Sequence, residues 1–449
     1  MRENHYDLIV LGTGPSGGTV ASKAAKQNRR VALVDSRRFG GTCALRGCNP
    51  KKVYVNAAAL LDQVRRSHGK LLDRVDVGVD WTQLHRFKES FTRPVAERSE
   101  ASFQEQGMAT FHGAAKFVDV DRIDIDGTEI SAERILIATG AKPIDLKIDG
   151  QDLLTHSDEF LNLRTLPRRV LFLGGGYVSM EFAHVVARCG VATTVVEKNP
   201  RVLSNFDPDL VDQLAEYSIG RGVDIKTNLD VTAIRRAGDG SLRVSCGDET
   251  FDADLVVHGA GRVPDIDDLD LRSGRIDFTD GGVTVDRHLR STTNDRVFAT
   301  GDCADSGSPR LTPVANEEAR IVTKNLFSDT PDAVPDADVV PKVAFTTPSI
   351  ASVGLNEAAA REAVDDLVVR ADETSSWSNV RKTGDTVAGY KILIDKPTDR
   401  IVGAHLLGPA AEETINLFAL AMKHGLTATD VKSTLFVFPT FASDTRQML

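Results

Sequence analysis

Gly40-Gly41-Thr42-Cys43-Ala44-Leu45-Arg46-Gly47-Cys48-Asn49-Pro50-Lys51-Lys52 is the segment of this 449-residue chain with the most evident chemistry. Its two cysteines are separated by four residues, a spacing that can bridge across one helical turn. The thiolate is the nucleophilic form of cysteine, and a nearby helix N-terminus with Lys51 and Lys52 just downstream predicts a lowered thiolate pKa. The segment therefore reads as a redox pair. Two other readings stay open: a pair of buried structural cysteines, or half of a metal site. Zinc usually takes two more Cys or His ligands at suitable spacing, and none stands near. Cys189, Cys246 and Cys303 are scattered and read as small core residues.

A second kind of chemistry precedes the cysteines. Gly12, Gly14 and Gly17 follow an apolar run, YDLIVL, and open a helical stretch from about 16 to 28. The first glycine permits a tight turn, the second lets backbone approach a pyrophosphate, and the third lets helix and strand pack closely. RVALVD then ends at Asp35, about 20 residues on, where a carboxylate can accept from a ribose hydroxyl. The same grammar returns in RRVLFLGGGYVSMEFAHVVARCGVATTVVEK, which ends at Glu197. Two strand–turn–helix–strand units imply two dinucleotide sites.

Around these units the chain alternates. Residues 53–115 read mostly as helix, and 116–137 as short β pieces ending in RILIATG. A further helix is expected from about 313 to 327. SDTPDAVPDADVVP reads as a linker, and 342–449 alternate β and α patterns without a nucleotide turn. Composition agrees: 41% hydrophobic and 26% charged residues fit a globular protein of roughly three domains. The net charge is −10, from 54 basic and 64 acidic residues, which disfavours nucleic acid as a partner. The start MRENHYDLIVLGTG lacks an apolar export signal and no run is long enough to span a membrane, so a cytoplasmic protein with reduced thiols is expected.

GGTCxxxGCxPxK after a βαβ unit resembles the flavin-dependent pyridine nucleotide-disulfide oxidoreductases, the family of glutathione reductase, dihydrolipoamide dehydrogenase and mercuric reductase. The likeness extends over nearly the whole chain. RILIATGAKP and RVFATGDCAD look like the family's FAD-domain signatures, and LTPVANEEAR like its flavin-facing helix start. VAFTTPSIASVGLNEAAA and HLLGPAAEETINLFALAMKHGLT resemble its C-terminal interface domain. The resemblance implies an α/β fold with two Rossmann-like dinucleotide-binding domains and a C-terminal α+β dimerisation domain. The implied divisions are 1–149 with 268–335 for FAD, 150–267 for NAD(P), and 336–449 for the interface.

It also implies roles for residues. Gly12, Gly14, Gly17, Asp35, Gly41, Thr42, Thr139, Gly140, Asp302, Thr312 and Ala315 match FAD-site positions, with Asp302 the acid on the ribityl chain. Cys48 matches the thiol against the flavin, and Cys43 the interchange thiol that attacks substrate. Lys51 matches the lysine beside the flavin, with Glu181 its ion partner. Gly174, Gly176, Tyr177, Glu197, Gly261 and Arg262 match nicotinamide-nucleotide positions, Tyr177 being the ring over the pocket. Glu197 favours NADH, because a carboxylate there repels a 2′-phosphate, although Lys198 and Arg201 leave some phosphate affinity open. No metal ligand set is implied. The implied partners are a small-molecule disulfide and a second copy of the chain, with no membrane.

One departure matters most. Thiol-active relatives end in a His-Pro-Thr-x-x-Glu motif that serves as acid and base; here the segment reads Phe438-Pro439-Thr440-Phe441-Ala442-Ser443, and no histidine follows His424. Asp444 stands one place late. The cysteine pair is intact and its proton donor absent. The expectation is a disulfide whose leaving thiol has a low pKa, of aromatic or thione type, with Phe438 and Phe441 as an apolar wall. The alternatives are a metal-ion or quinone reductase, dihydrolipoamide dehydrogenase-like chemistry, or a flavoprotein that has lost turnover. Absence of cysteines after Cys303 argues against the mercuric specialisation.

Overall fold

The computed structural model describes residues 4–74 and 76–449. They form two compact units, each assembled from three stretches of chain. The first comprises 1–50, 87–144 and 261–337; the second comprises 51–86, 145–260 and 338–449.

In the first unit, β1 (His5–Leu11) carries the apolar run and lies inside the parallel part of a mixed seven-stranded sheet. Strands buried on both faces need such continuous apolar sequence. α1 (Pro15–Lys26) starts with proline in its first turn, where the missing N–H is no loss, and ends with Lys23 and Lys26 near the negative end of its dipole. β2 (Val31–Asp35) pairs with β1, with Val10 opposite Leu33. On the other side, Thr128–Ile137 pairs in parallel with β1, and Val297–Ala299 lies beyond it. α2 (Gly41–Arg46) and α3 (Cys48–Arg66) follow, separated by Gly47. The cysteines therefore stand on two successive helices rather than on one turn of a single helix. The α3 residues from Lys51 onward belong to the second unit.

Residues 53–115 are less helical than expected, and position 75 lies outside the described residues. α3 stops at Arg66, and the next helix runs Trp81–Glu105 and passes through Pro94. Asp80 sets that start: its Oδ1 accepts from the Gln83 N–H at 3.0 Å, a side-chain cap. Ala109–His112 then joins the sheet beside β2.

The second unit repeats the nucleotide grammar. Arg169–Leu173, helix Tyr177–Arg188 and Ala192–Val196 form its βαβ core, within a four-stranded parallel sheet completed by Val223–Lys226 and Leu255–His258. The same unit holds a five-stranded antiparallel sheet from residues 342–408. Helix Ala411–Lys423 packs its apolar face (Ala411, Ile415, Phe418, Ala421) into the core against that sheet. Residues 328–341, the Pro- and Asp-rich stretch, form no helix or strand. Among the described residues, no helix is long and apolar enough to cross a membrane.

Candidate functional site

Both glycine turns close in the same way. In the first unit, the Gly12 N–H donates to Val34 O at 2.8 Å, and Asp35 Oδ2 accepts from Thr13 N–H at 2.9 Å and from Thr13 Oγ1 at 2.6 Å. In the second, the Gly174 N–H donates to Val196 O at 2.8 Å, and Glu197 Oε2 accepts from Gly175 N–H at 2.6 Å. Each acid thus ties the end of the second strand to the middle of its turn. Gly12 has φ +102°, and a Cβ there would overlap the Ala138 carbonyl oxygen, so no other residue fits. At Gly14 the space where a Cβ would point is open, while Gly41, at φ +71°, packs against the Gly14 backbone. That combination is a turn whose backbone a phosphate group can approach at the N-terminus of α1, and it fits the diphosphate of FAD.

Other FAD-site candidates lie in the same unit. Thr139 and Gly140 follow the strand Thr128–Ile137. Asp302 sits in a single 3₁₀ turn, Gly301–Cys303, anchored by a residue that sequence reading missed. Glu318, almost fully buried, accepts from the Gly301 N–H at 2.6 Å and from Ser306 Oγ at 2.7 Å. Burial raises the pKa of Asp302, and Arg262 and Arg310 oppose that rise. Gly261 and Arg262, matched above to the nicotinamide nucleotide, also fall in this unit. Arg262–Pro264 pairs antiparallel with Ala141–Pro143, and the Arg262 guanidinium donates to the Ala141 carbonyl.

Cys43 lies half-buried on α2, and Cys48 is exposed at the start of α3. The Thr312 hydroxyl, in the first turn of the helix Thr312–Asn325, reaches both: it donates to Cys43 Sγ at 3.5 Å and lies 3.9 Å from Cys48 Sγ. Ala315 is one turn further along that helix. Cys43 and Cys48 are also hydrogen-bonded to each other. That bond, followed by burial, pushes the Cys43 thiol up, with Thr312 pulling the other way. The expectation of a lysine-lowered thiolate therefore fails at Cys43. Both ammonium groups are committed elsewhere, to Glu181 at 3.0 Å for Lys51 and 2.7 Å for Lys52. The remaining cysteines show no paired chemistry: Cys246 and Cys303 are buried, and burial holds Cys189 and Cys246 at about 11.

Glu181 organises the second unit's share of the candidates. It is almost fully buried on the helix Tyr177–Arg188, and its Oε1 accepts from the Phe345 N–H at 3.0 Å. Burial alone would raise its pKa, but Lys51 and Lys52 overcome that and hold it low. Lys51 also lies 4.6 Å from the centre of the Tyr177 ring, and Lys52 3.7 Å from that of Phe345. Glu197 Oε1 accepts from the Asn199 N–H at 2.8 Å and from Asn199 Nδ2 at 2.6 Å. Arg201 is held bidentate by Asp212 at 2.7 and 2.9 Å, and Lys198 is exposed. A cleft of about 700 Å³ opens beside this loop, but Arg201, Arg361 and Lys391 in its wall are all ion-paired.

The fully buried hydroxyl of Ser179, on the helix after the second turn, finds no hydrogen-bond partner among the described residues. An unsatisfied buried hydroxyl costs about 1–3 kcal/mol. Ser179→Ala should therefore raise stability by about 1 kcal/mol, read as a higher urea midpoint at unchanged slope. A lower midpoint would show that the hydroxyl is paired.

The C-terminal candidates lie apart from acid–base duty. Phe438 is 81% exposed, as is neighbouring Val437 at 78%. Asp444 is buried and accepts from Asn379 Nδ2 at 2.9 and 3.0 Å, so its carboxylate is occupied by an amide.

Comparison with known proteins gives a consistent result. Residues 6–319 match the family model described as pyridine nucleotide-disulphide oxidoreductase, and 340–449 match its dimerisation domain. Glutathione reductase of Burkholderia cepacia is 31% identical, the match covering 99% of this chain and 98% of that protein. Mercuric reductase of Lysinibacillus sphaericus is 27% identical, over 98% and 82% respectively. Among solved structures, the HOCl-induced flavoprotein disulfide reductase RclA from Escherichia coli aligns with TM-score 0.88 at 28% identity, covering 98% and 99% of the two chains. Its Cu(II) complex aligns with TM-score 0.89 at 27% identity, covering 99% of each.

Proposed function

The chain belongs to the pyridine nucleotide-disulphide oxidoreductase family of FAD-dependent, NAD(P)H-using enzymes, and within that family we propose that it reduces a small-molecule disulfide whose leaving thiol has a low pKa. The observation that carries this reading is the contact between Cys43 and Cys48 combined with Phe438 where a proton donor would stand. FAD, when bound, supplies the passage of reducing equivalents from nicotinamide to the cysteine pair. Gly12, Gly14, Gly17, Gly41 and Asp35 bind it, with Thr139, Gly140, Asp302, Thr312 and Ala315 toward its flavin end. Gly174, Gly176, Tyr177 and Glu197 would bind the nicotinamide nucleotide, and Gly261 and Arg262 are further candidates for it. Lys51, paired with Glu181, completes the proposed catalytic set. Cys43 attacks the substrate sulfur and Cys48 resolves the mixed disulfide. The functional divisions are 1–149 with 268–335, 150–267, and 336–449, the last forming a homodimer in the cytoplasm.

The test is anaerobic NADH titration. Reduction should expose two new thiols and a long-wavelength thiolate–flavin absorption, and Cys48→Ser should lose that absorption while keeping bound FAD. A reduced enzyme with no new thiols would sink the reading.

NADH is the proposed donor. Glu197 is buried against its turn, and the nearest arginine, Arg201, is held by Asp212 rather than free for a 2′-phosphate. The kcat/KM for NADH should exceed that for NADPH, and Glu197→Ala should narrow the ratio about ten-fold, or ~1.4 kcal/mol. A wild-type preference for NADPH reverses the assignment.

A second reading, reduction of a soft metal ion, draws on two observations: the exposed Cys48 thiol beside Cys43, and relatives that include mercuric reductases and a Cu(II) complex. NADH oxidation that depends on the metal ion and on no disulfide would favour it.

A further inference from the structure

Lys391 stands on the strand Gly389–Asp395, almost fully buried, and its ammonium meets three carboxylates. Asp209 Oδ2 lies at 2.5 Å, Asp207 Oδ2 at 2.9 Å and Glu357 Oε2 at 3.0 Å. An ammonium has three N–H donors, one for each. Arg361 adds a second cation at Glu357, but Asp207 is fully buried, and among the described residues Lys391 is its ion partner. Asp207 divides its oxygens. Oδ1 accepts from the N–H groups of Asp209 and Leu210 at 3.2 and 3.3 Å and caps the helix Pro208–Ile219, which leaves Oδ2 to the ammonium. Asp207 is also the far end of the loop that starts at Glu197. Midway along that loop, the Leu203 N–H donates to Gly175 O at 2.8 Å. Leu203 has φ +50°, a left-handed conformation that a residue with a Cβ keeps only where its surroundings impose it. A Cβ on Gly175 would overlap the Val202 side chain, so the loop lies directly on the glycine turn. Gly175 is thus held on both sides, its N–H by Glu197 and its C=O by Leu203. In a trans peptide the C=O and the next N–H point opposite ways. The Leu203 bond therefore sets the direction of the Gly176 N–H, at the start of the helix Tyr177–Arg188, where a diphosphate finds its donors.

Resting on the reading of Gly174, Gly176 and Glu197 as ligands of the nicotinamide nucleotide, we infer that Lys391 is a positioning residue for that nucleotide, acting through Asp207 and the loop 199–207. Lys391 lies in the segment 340–449 that matches the dimerisation domain, so this domain takes part in nucleotide affinity within its own protomer. The loop lines the cleft of about 700 Å³, and on that side it meets open space, so its position depends on how its ends are tied. Glu197 and Asn199 tie one end, and Asp207 on Lys391 ties the other. The Lys342 ammonium, 5.6 Å from the Phe206 ring, adds a weaker hold beside Asp207. Without the Lys391 ammonium, Asp207, Asp209 and Glu357 repel one another, and the buried Asp207 has no counterion. The far end of the loop then leaves its place, and the bond from Leu203 to Gly175 goes with it. The loss falls on the diphosphate, away from the reacting nicotinamide ring. Binding weakens, while hydride transfer from the bound nucleotide keeps its rate.

The experiment uses the FAD-loaded protein. Calorimetric titration with ADP-ribose, which carries the diphosphate and has no hydride to give, reads binding. Anaerobic stopped-flow reduction by NADH reads the half-saturating concentration and the limiting rate. Lys391→Met should raise the ADP-ribose Kd and the half-saturating NADH about ten-fold and leave the limiting rate within about two-fold. Lys391→Arg keeps the cation and should stay within about three-fold of wild type in both. Asp207→Asn keeps the helix cap but loses the charge, and should raise both about three-fold. It carries the test if Lys391→Met does not fold. A folded variant with a lower urea midpoint and a wild-type Kd shows a structural role alone and overturns the inference. A limiting rate that falls at unchanged Kd overturns it too. A wild-type protein that binds no ADP-ribose, and whose flavin neither NADH nor NADPH reduces, overturns the nucleotide reading itself, a failure seen before any variant is measured.

Discussion

Glu181→Gln is expected to destabilise the protein by about 3–5 kcal/mol, the usual result of removing one partner from a buried ion pair. Glu181 is 1% exposed and its carboxylate faces two ammonium groups, from Lys51 at 3.0 Å and Lys52 at 2.7 Å. An amide keeps the volume and still accepts from the Phe345 N–H, so packing is preserved and charge is what is lost. Lys51 is nearly buried and would retain only the ring faces of Tyr177 and Phe182, 4.6 and 5.9 Å away. Lys52 is 32% exposed, so water softens its share and favours the lower end of the range. Urea unfolding of the holoenzyme reads the loss, and a change under about 1 kcal/mol would show that the lysines find other partners. The pH dependence has a definite sign. Lys51 and Lys52 hold the Glu181 carboxyl below its ordinary value against the effect of burial. Its stabilisation is therefore present above the unfolded carboxyl pKa, about 4.3, and lost as pH falls through the lower folded value. The variant should lack this component of acid unfolding.

The local grammar was legible because short segments carry it. YDLIVL and RVALVD can be little other than buried strands, and a glycine turn between strand and helix has few structural uses. Residues 53–115 read mostly as helix, yet the chain leaves the helix after Arg66 and resumes it only at Trp81, where Asp80 caps the new start. Gly47 breaks α2 from α3, and glycine at that point outweighs the spacing of the cysteines. What stayed hidden is non-local. Thr312 reaches Cys43 across 269 positions, and Phe345 reaches Glu181 across 164. Lys52 looked like a neighbour of the thiols and proves to be a second counterion for Glu181. Contacts of that kind depend on which elements the fold juxtaposes, and no periodicity encodes them.

Turnover should depend steeply on the leaving thiol. General acid catalysis is worth about 10²–10⁴ in rate, and a reaction without it loses most where the leaving thiolate is basic. An aromatic or thione-type disulfide should therefore exceed glutathione disulfide in kcat/KM by about 10² or more. Restoring the absent pair tests the cause. Phe438 is exposed in the single chain, so histidine there disturbs no packing within the protomer. Ser443 occupies the third position of the helix Phe441–Met448, and its hydroxyl accepts from the Thr440 N–H at 3.1 Å. Glutamate is the ordinary residue at that place in a capping box, so Ser443→Glu keeps the helix start. The double variant Phe438→His/Ser443→Glu should raise kcat/KM for alkyl disulfides by at least about ten-fold and leave aromatic disulfides nearly unchanged, because a good leaving group needs no proton. Equal wild-type rates across the series would remove the proposed specificity. A gain shared equally by both substrate classes would mean that the histidine improves binding or dimer packing instead of proton transfer.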